Sequence, residues 1–249
     1  NQNKQDTQTL LELAKVRGWG TGVVTTTRIT HATPASTYAH ICHRDAENDI
    51  ASQLVPSSQG DTYQRYNVKL KDGVDVILGG GKRQFLPKDQ GGERIDQRNL
   101  IAEMQQAGYR VVYDQTQLSQ MKLGKNEKLL GLFNTSHLNY DLDRTKKNLP
   151  EPSLKQMTLA ALDILTQNKN GFFLMVEGGR IDHALHDTNA KRALQDTIAL
   201  NEALDATIKK LQQSDPELKN TLIVITADHD HTLILNGYAK RTGKYVQGQ

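Results

Sequence analysis

Two kinds of hydrophobic pattern alternate along this chain. Short continuous apolar or β-branched runs occur at residues 20–27 (GTGVVTTT), 74–78 (VDVIL), 109–113, 129–133, 172–176 (FFLMV) and 221–226 (TLIVIT). Each is too short for a buried helix, and most are bounded by Gly, Pro or polar residues, so each predicts a buried strand. Between them, apolar residues recur at helical spacing. This predicts helices over 9–17, 45–55, 96–107 and 154–165. A further helix is expected from Pro34 on through Tyr38, Ile41 and Cys42, with Pro34 in its first turn and Thr33 as N-cap. A long helix is expected from Asp182 to about Gln213, with Ala190, Leu194, Leu204, Ile208 and Leu211 as its apolar stripe. Residues 57–66 and 136–152 read as polar connections, and 236–249 as a polar, Gly-rich tail. Continuous apolar strands alternating with amphipathic helices predict an α/β fold. The expected architecture is a mainly parallel sheet flanked by helices on both faces, with residues 1–249 in one domain.

Composition narrows the picture only a little. Of 249 residues, 37% are hydrophobic and 24% charged, which suits a globular chain. The formal net charge is +3 and no basic block stands out, which argues against nucleic-acid recognition. No apolar run approaches the ~20 residues of a membrane span. The first eight residues carry no secretory leader pattern and read as a cut or processed end. The single Cys42 has no partner for an intramolecular disulfide and reads as a small buried apolar residue on a helix. Gly79-Gly80-Gly81-Lys82-Arg83 lacks the Gly-Lys-Ser/Thr ending of a phosphate-binding loop and reads as a tight turn after a strand.

Chemistry collects at the ends of three predicted strands. The 172–176 run leads into Glu177, Gly178, Gly179, Asp182, His183 and His186. Asp182 and His186 stand four apart, on one face of a helix, where a carboxylate and an imidazole can share a metal ion. Asp182 is equally suited to capping the helix. The 221–226 run leads into Asp228, His229, Asp230 and His231. The 20–27 run leads into His31 and Thr33, with Arg44 further on. In open α/β sheets, sites form where strands end at their carboxyl termini, and these three ends are expected along one edge.

Taken together, VEGGRIDHALH, TADHDH and TTTRITHATPAS resemble the alkaline phosphatases, and VDVILGGGKRQF and HTLILNGYAKRTG resemble the same family. The resemblance implies a three-layer α/β/α fold and a site of two zinc ions and one magnesium, hydrolysing phosphate monoesters. By position it implies Asp182 and His186 on the first zinc, Asp228 and His229 on the second, and Thr33 and Glu177 on magnesium. Arg44 matches the arginine that grips the substrate phosphate. His31 stands beside the magnesium site, and His183 and His231 match neighbours that are not usually ligands. The family's serine nucleophile, an upstream aspartate and a further zinc-binding histidine have no counterparts in this sequence, and Ser36 has no mark of a nucleophile. The resemblance therefore implies an internal portion of a longer protein, with its activity alone left open. With two protein ligands per zinc, weak zinc binding is expected, and His231 is the first residue to complete a site. A periplasmic or secreted homodimer is also implied. A related phosphodiesterase, sulfatase or phosphonatase, or a non-catalytic metal-binding protein, stays open as an alternative.

Overall fold

The computed structural model describes residues 6–56, 68–122, 124 and 127–234. The connection expected at 57–66 and the tail from 236 lie outside the described residues. Five strands form the sheet: β1 (Gly20–Arg28), β2 (Val76–Gly80), β3 (Tyr109–Val112), β4 (Lys128–Leu132) and β5 (Phe172–Glu177). Their order is β3-β4-β2-β1-β5 and every pairing is parallel. Successive side chains alternate between the sheet faces. Val23, Ile77 and Leu130 face one apolar cluster with Leu11, Ile50 and Leu100. Val24, Val76 and Leu129 face another with Met157, Ala161 and Leu165. Both faces are covered, so the strands are continuously apolar, and the expected α/β/α layering is what the structure shows.

The covering helices are α1 (Leu10–Val16), α3 (Glu47–Ser52), α4 (Leu100–Gln106), α5 (Gln115–Gln120), α6 (Asp141–Lys146) and α7 (Leu154–Leu165); α2 (Ala32–Ala35) is a single turn. In α1, Thr9 and Glu12 form a capping box, and in α7 Ser153 and Gln156 form another. The helix expected to continue from Pro34 to Cys42 ends instead at Ala35. The backbone N–H and carbonyl of His40 are both bonded by the side chain of Gln53, at 2.9 and 3.2 Å, which holds the chain out of the helix. Cys42 is consequently exposed and outside any helix. The N-cap of α2 is His31, and Thr33 lies within the turn.

The long helix expected from Asp182 is two helices, α8 (Arg180–His186) and α9 (Ala190–Leu211). Thr188 takes φ +52°, a left-handed conformation that no helix continues through, and the Asn189 side chain caps α9 by accepting from Arg192 N–H at 3.1 Å. The break resets the helical phase. The buried face of α9 is Ala193, Asp196, Ala199, Ala203, Ala206 and Leu211, and Leu194 of the expected stripe faces outward. The strand expected at 221–226 is also not formed. Those residues take no regular structure, and Leu222 is 88% exposed. A strand exists only through a ladder, and among the described residues β5 pairs with β1 alone.

The triple glycine after β2 is a docking surface for another loop. Gly81 takes φ +93° and its N–H bonds the carbonyls of Asn134 and Ser136, at 3.1 and 2.8 Å. A Cβ on Gly80 would stand 2.1 Å from Ser136 O. Leu138 N–H then bonds Thr26 O at 3.0 Å, so this loop is laid across the end of β1.

Asp196 supplies a test of this packing. It is 4% exposed, and its Oδ2 accepts the Asp141 N–H at 3.2 Å. Burial pushes its carboxyl up to about 7, with the Asp141 and Asp143 charges adding to the rise and the Asp141 N–H and Arg180 opposing it. A carboxyl raised on folding favours the folded state while protonated, and that stabilisation is lost as pH rises from the ordinary carboxylate range to about 7. Asp196→Asn mimics the protonated group. It is expected to stabilise the protein at pH 8 by on the order of 2 kcal/mol and to leave it near wild type at pH 4. Thermal unfolding at both pH values checks this, and a gain of equal size at each would sink it.

Candidate functional site

The register of two distant segments builds the first part of the site. β1 and β5 are parallel neighbours with Thr25 opposite Glu177, so both deliver their carboxyl ends to the same edge. The Glu177 carboxylate turns toward β1, where its Oε2 accepts from Thr25 Oγ1 at 2.5 Å and Thr27 Oγ1 at 3.1 Å. The turn from β5 into α8 passes close against β1, since a Cβ on Gly179 would stand 2.4 Å from Thr27 Cγ2. Arg180 N–H then bonds Thr26 Oγ1 at 3.2 Å. On α8, Asp182 and His186 share a face, with His186 Nε2 3.4 Å from Asp182 Oδ1.

The 228–231 segment crosses to the same carboxylate. His231 Nε2 lies 2.7 Å and His229 Nε2 3.8 Å from Asp182 Oδ1, and His229 Nε2 lies 3.4 Å from Asp228 Oδ2. One ligand atom from each of Asp182, His229 and His231 falls within 4.8 Å of the others. Burial pushes the Asp182 carboxyl up, but the His231 hydrogen bond and the surrounding imidazoles outweigh it and hold it below its ordinary value. A carboxylate with two imidazoles is a donor set suited to zinc. Thr33 stands apart from this: it is exposed, and among the described residues no hydrogen bond joins it to Glu177.

A second histidine group is differently wired. His31, His137 and His183 pack edge to face, with ring centroids 4.4 to 5.3 Å apart. His137 belongs to the loop laid across β1. Burial pushes His137 down to about 2, with Arg28 adding to the effect, and His183 down to about 4, with Arg180 adding. Burial, Arg28 and Arg44 lower His31. Although three neutral imidazoles are metal-ligand chemistry, each ring nitrogen contact here is to an arginine. Arg180 Nη1 meets His183 Nδ1 at 2.7 Å, and Arg44 Nη2 meets His31 Nε2 at 3.3 Å. Both nitrogens of His137 are covered by Arg28, one by its backbone N–H and the other by its Nη1, and the neutral ring can accept from one of them. A ligating histidine uses one nitrogen for the metal and donates a proton from the other. His137 has neither nitrogen free, and three guanidinium charges disfavour a cation among these rings.

Arg28 is itself held by Glu47, which accepts from its Nε at 2.8 Å and Nη2 at 2.6 Å and from Thr30 Oγ1 at 2.5 Å. Burial pushes the Glu47 carboxyl up, and these bonds together with the Arg28 charge bring it below its ordinary value. Sequence reasoning singles out neither His137 nor Glu47. His137 lies just past β4, so a histidine after a strand's carboxyl end is the one signal that finds it; Glu47 carries none.

The comparisons with known proteins agree with this architecture. A sequence profile of the family described as alkaline phosphatase matches residues 1–249. The chain is 38% identical, over 94% of its length, to a membrane-bound alkaline phosphatase of Bombyx mori. It is 40% identical, over 92% of its length, to alkaline phosphatase 4 of Bacillus subtilis strain 168. It spans 44% of the length of each of these relatives. The crystal structure of Thermus thermophilus alkaline phosphatase superposes with a TM-score of 0.68 at 38% identity, covering 80% of this chain and 38% of that one. No described helix is long and apolar enough to cross a membrane. The chain belongs to the alkaline phosphatase family.

Proposed function

We propose that this chain carries the metal-binding and phosphate-gripping part of a phosphomonoesterase with two zinc ions and one magnesium. The observation that carries the reading is the convergence of the 177–186 and 228–231 segments on one oxygen, Asp182 Oδ1, with imidazole nitrogens of His231, His186 and His229 at 2.7 to 3.8 Å. Asp182 and His186 would hold one zinc, Asp228 and His229 the other, with His231 against Asp182; Glu177 would hold magnesium, while Thr33, exposed and apart from Glu177, is not positioned here to join it. Bound there, the ions would supply Lewis acidity toward phosphoryl oxygens and lower the pKa of an oxygen nucleophile.

The chain's own residues set the conditions for that chemistry. Thr25 and Thr27 fix the direction of the Glu177 carboxylate. Arg44 presents an exposed guanidinium beside His31, and its planar fork suits the oxygens of a phosphate ester. His31, held neutral, accepts from Arg44 and orients it. Ser36 is not poised as a nucleophile, since its Oγ donates to Thr33 O at 2.8 Å within the α2 turn. The reading therefore places the nucleophilic serine outside these residues. A periplasmic or secreted homodimer belongs to the same reading.

The test is hydrolysis of nitrophenyl phosphate and bis(nitrophenyl) phosphate by the full-length protein. Monoester turnover that is lost on chelation and restored by zinc and magnesium is expected. Turnover of the diester alone, or monoester turnover untouched by chelation, would overturn the reading.

A further inference from the structure

Helix α8 carries Asp182, His183 and His186, yet it has little to hold it by itself. It is seven residues long, and its N-cap, Gly179, supplies no side-chain bond. A helix this short does not persist on its own backbone hydrogen bonds. Its position must come from what it touches.

Tyr140 touches both of its ends. The Tyr140 hydroxyl donates to Oδ2 of Asp187, the residue that caps the carboxyl end of α8, at 2.8 Å. The guanidinium of Arg180, the first residue of α8, lies 3.8 Å from the centroid of the Tyr140 ring. Between these two grips the ring packs on Ala184, which is fully buried, and on Ala193 of α9. Arg192 of α9 also lies over the ring, at 4.6 Å, and is paired with Asp143 at 2.8 Å. Cation–π contacts of this kind strengthen when the guanidinium is withdrawn from water. Arg180 is half-buried, and among the described residues no carboxylate lies within ion-pair distance of it, so the ring and His183 are what it rests against.

We propose that Tyr140 is a positioning residue: it clamps α8 at both ends and so sets where Asp182 and His186 stand against the 228–231 segment. The consequence for metal rests on the function proposed above; the clamp itself does not. Replacing Tyr140 by Leu removes the hydroxyl and both cation contacts while leaving an apolar filler, and Tyr140→Phe removes the hydroxyl alone. Leu162→Ala is the control, because Leu162 is a buried residue of α7 that takes no part in this cluster.

In the full-length protein, amide hydrogen exchange of residues 182–187 is expected to accelerate at least tenfold in Tyr140→Leu and less in Tyr140→Phe. Leu162→Ala, destabilised to a similar melting temperature, should leave those amides at wild-type rates below the transition. Zinc loss to a chelator, with zinc chloride as the loaded metal, is expected to quicken about tenfold in Tyr140→Leu only, in line with the effect of residues that orient ligands. Unchanged α8 exchange in Tyr140→Leu, or equal acceleration in Leu162→Ala, would overturn the proposal. If the wild-type protein takes up no zinc, the proposed function falls, and α8 exchange still decides whether Tyr140 is the clamp.

Discussion

Asp182→Asn in the full-length protein is expected to lower phosphate monoester turnover by about three orders of magnitude, or ~4 kcal/mol of barrier. The substitution keeps the shape of the side chain and removes its charge. That charge is what three imidazoles from two separate segments gather around, and Oδ1 is the atom they approach. An amide presents a weaker, uncharged acceptor on one side and an N–H on the other, and an N–H pointed at a metal ion repels it. No other carboxylate takes over, because Asp228 is exposed and among the described residues pairs with His229 alone, and Glu177 is engaged by two threonine hydroxyls. The loss should appear in kcat, with zinc content falling alongside it. His186→Gln is expected to cost less, since His186 is largely exposed and stands further from Oδ1 than His231 does. A variant that keeps its zinc and more than a tenth of its turnover would show that Asp182 is not the centre of the site.

The reach of the sequence into this structure follows the range of the interactions involved. Hydrophobic period is a local property, and it places β1, β5 and α7 within a few residues of where they form. The strand ends also follow, because parallel strands put like ends together. What depends on pairing between distant segments is not legible. The threonines of 20–27 read only as strand formers, and their use in holding Glu177 arises from a register between residues more than 150 apart. The apolar run 221–226 reads as a strand as clearly as 172–176 does, and the difference is that one has a ladder partner and the other has none among the described residues. A local backbone event is equally hidden: the left-handed Thr188 interrupts an apolar stripe that the sequence carries straight through. The convergence of His231 on Asp182 is a matter of tertiary path, which spacing along the chain does not contain.

Arg94 shows the same limit most sharply, and it carries the largest expected effect on stability. It lies in the stretch GGERIDQRN, just before the helix expected from residue 96, where no pattern marks it for burial, yet it is 0% exposed. Its guanidinium is fully used: Nη1 donates to the carbonyls of Asn48 at 2.7 Å and Gln84 at 3.1 Å, Nη2 to Ser52 Oγ at 2.9 Å, and Nε to Asp96 Oδ1 at 3.0 Å. Asp96 also pairs with Nη2, and its carboxyl, pushed up by burial, is brought below its ordinary value by these bonds. Arg94→Met fills much of the volume but takes the guanidinium donors from the Gln84 carbonyl and the Ser52 hydroxyl in the interior, leaves the Asn48 carbonyl with the Ser52 hydroxyl at 3.0 Å, and leaves Asp96 with the Arg98 N–H at 3.1 Å in place of its ion pair. Each buried acceptor left without its donor costs about 1–3 kcal/mol, so a loss of ~3 kcal/mol and a fall in melting temperature of roughly 10 °C are expected. Arg94→Lys should recover little, because an ammonium directs three donors from a single point and does not reproduce the planar fork. The damage should also travel. Asn48 and Ser52 belong to α3, whose first residue, Glu47, holds Arg28 at the end of β1. Below its transition the Arg94→Met protein is therefore expected to expose the Arg28 and His137 region to faster amide exchange, while the α7 amides keep wild-type rates. A melting temperature within about 3 °C of wild type would mean that this buried guanidinium contributes no more than an apolar side chain of the same size.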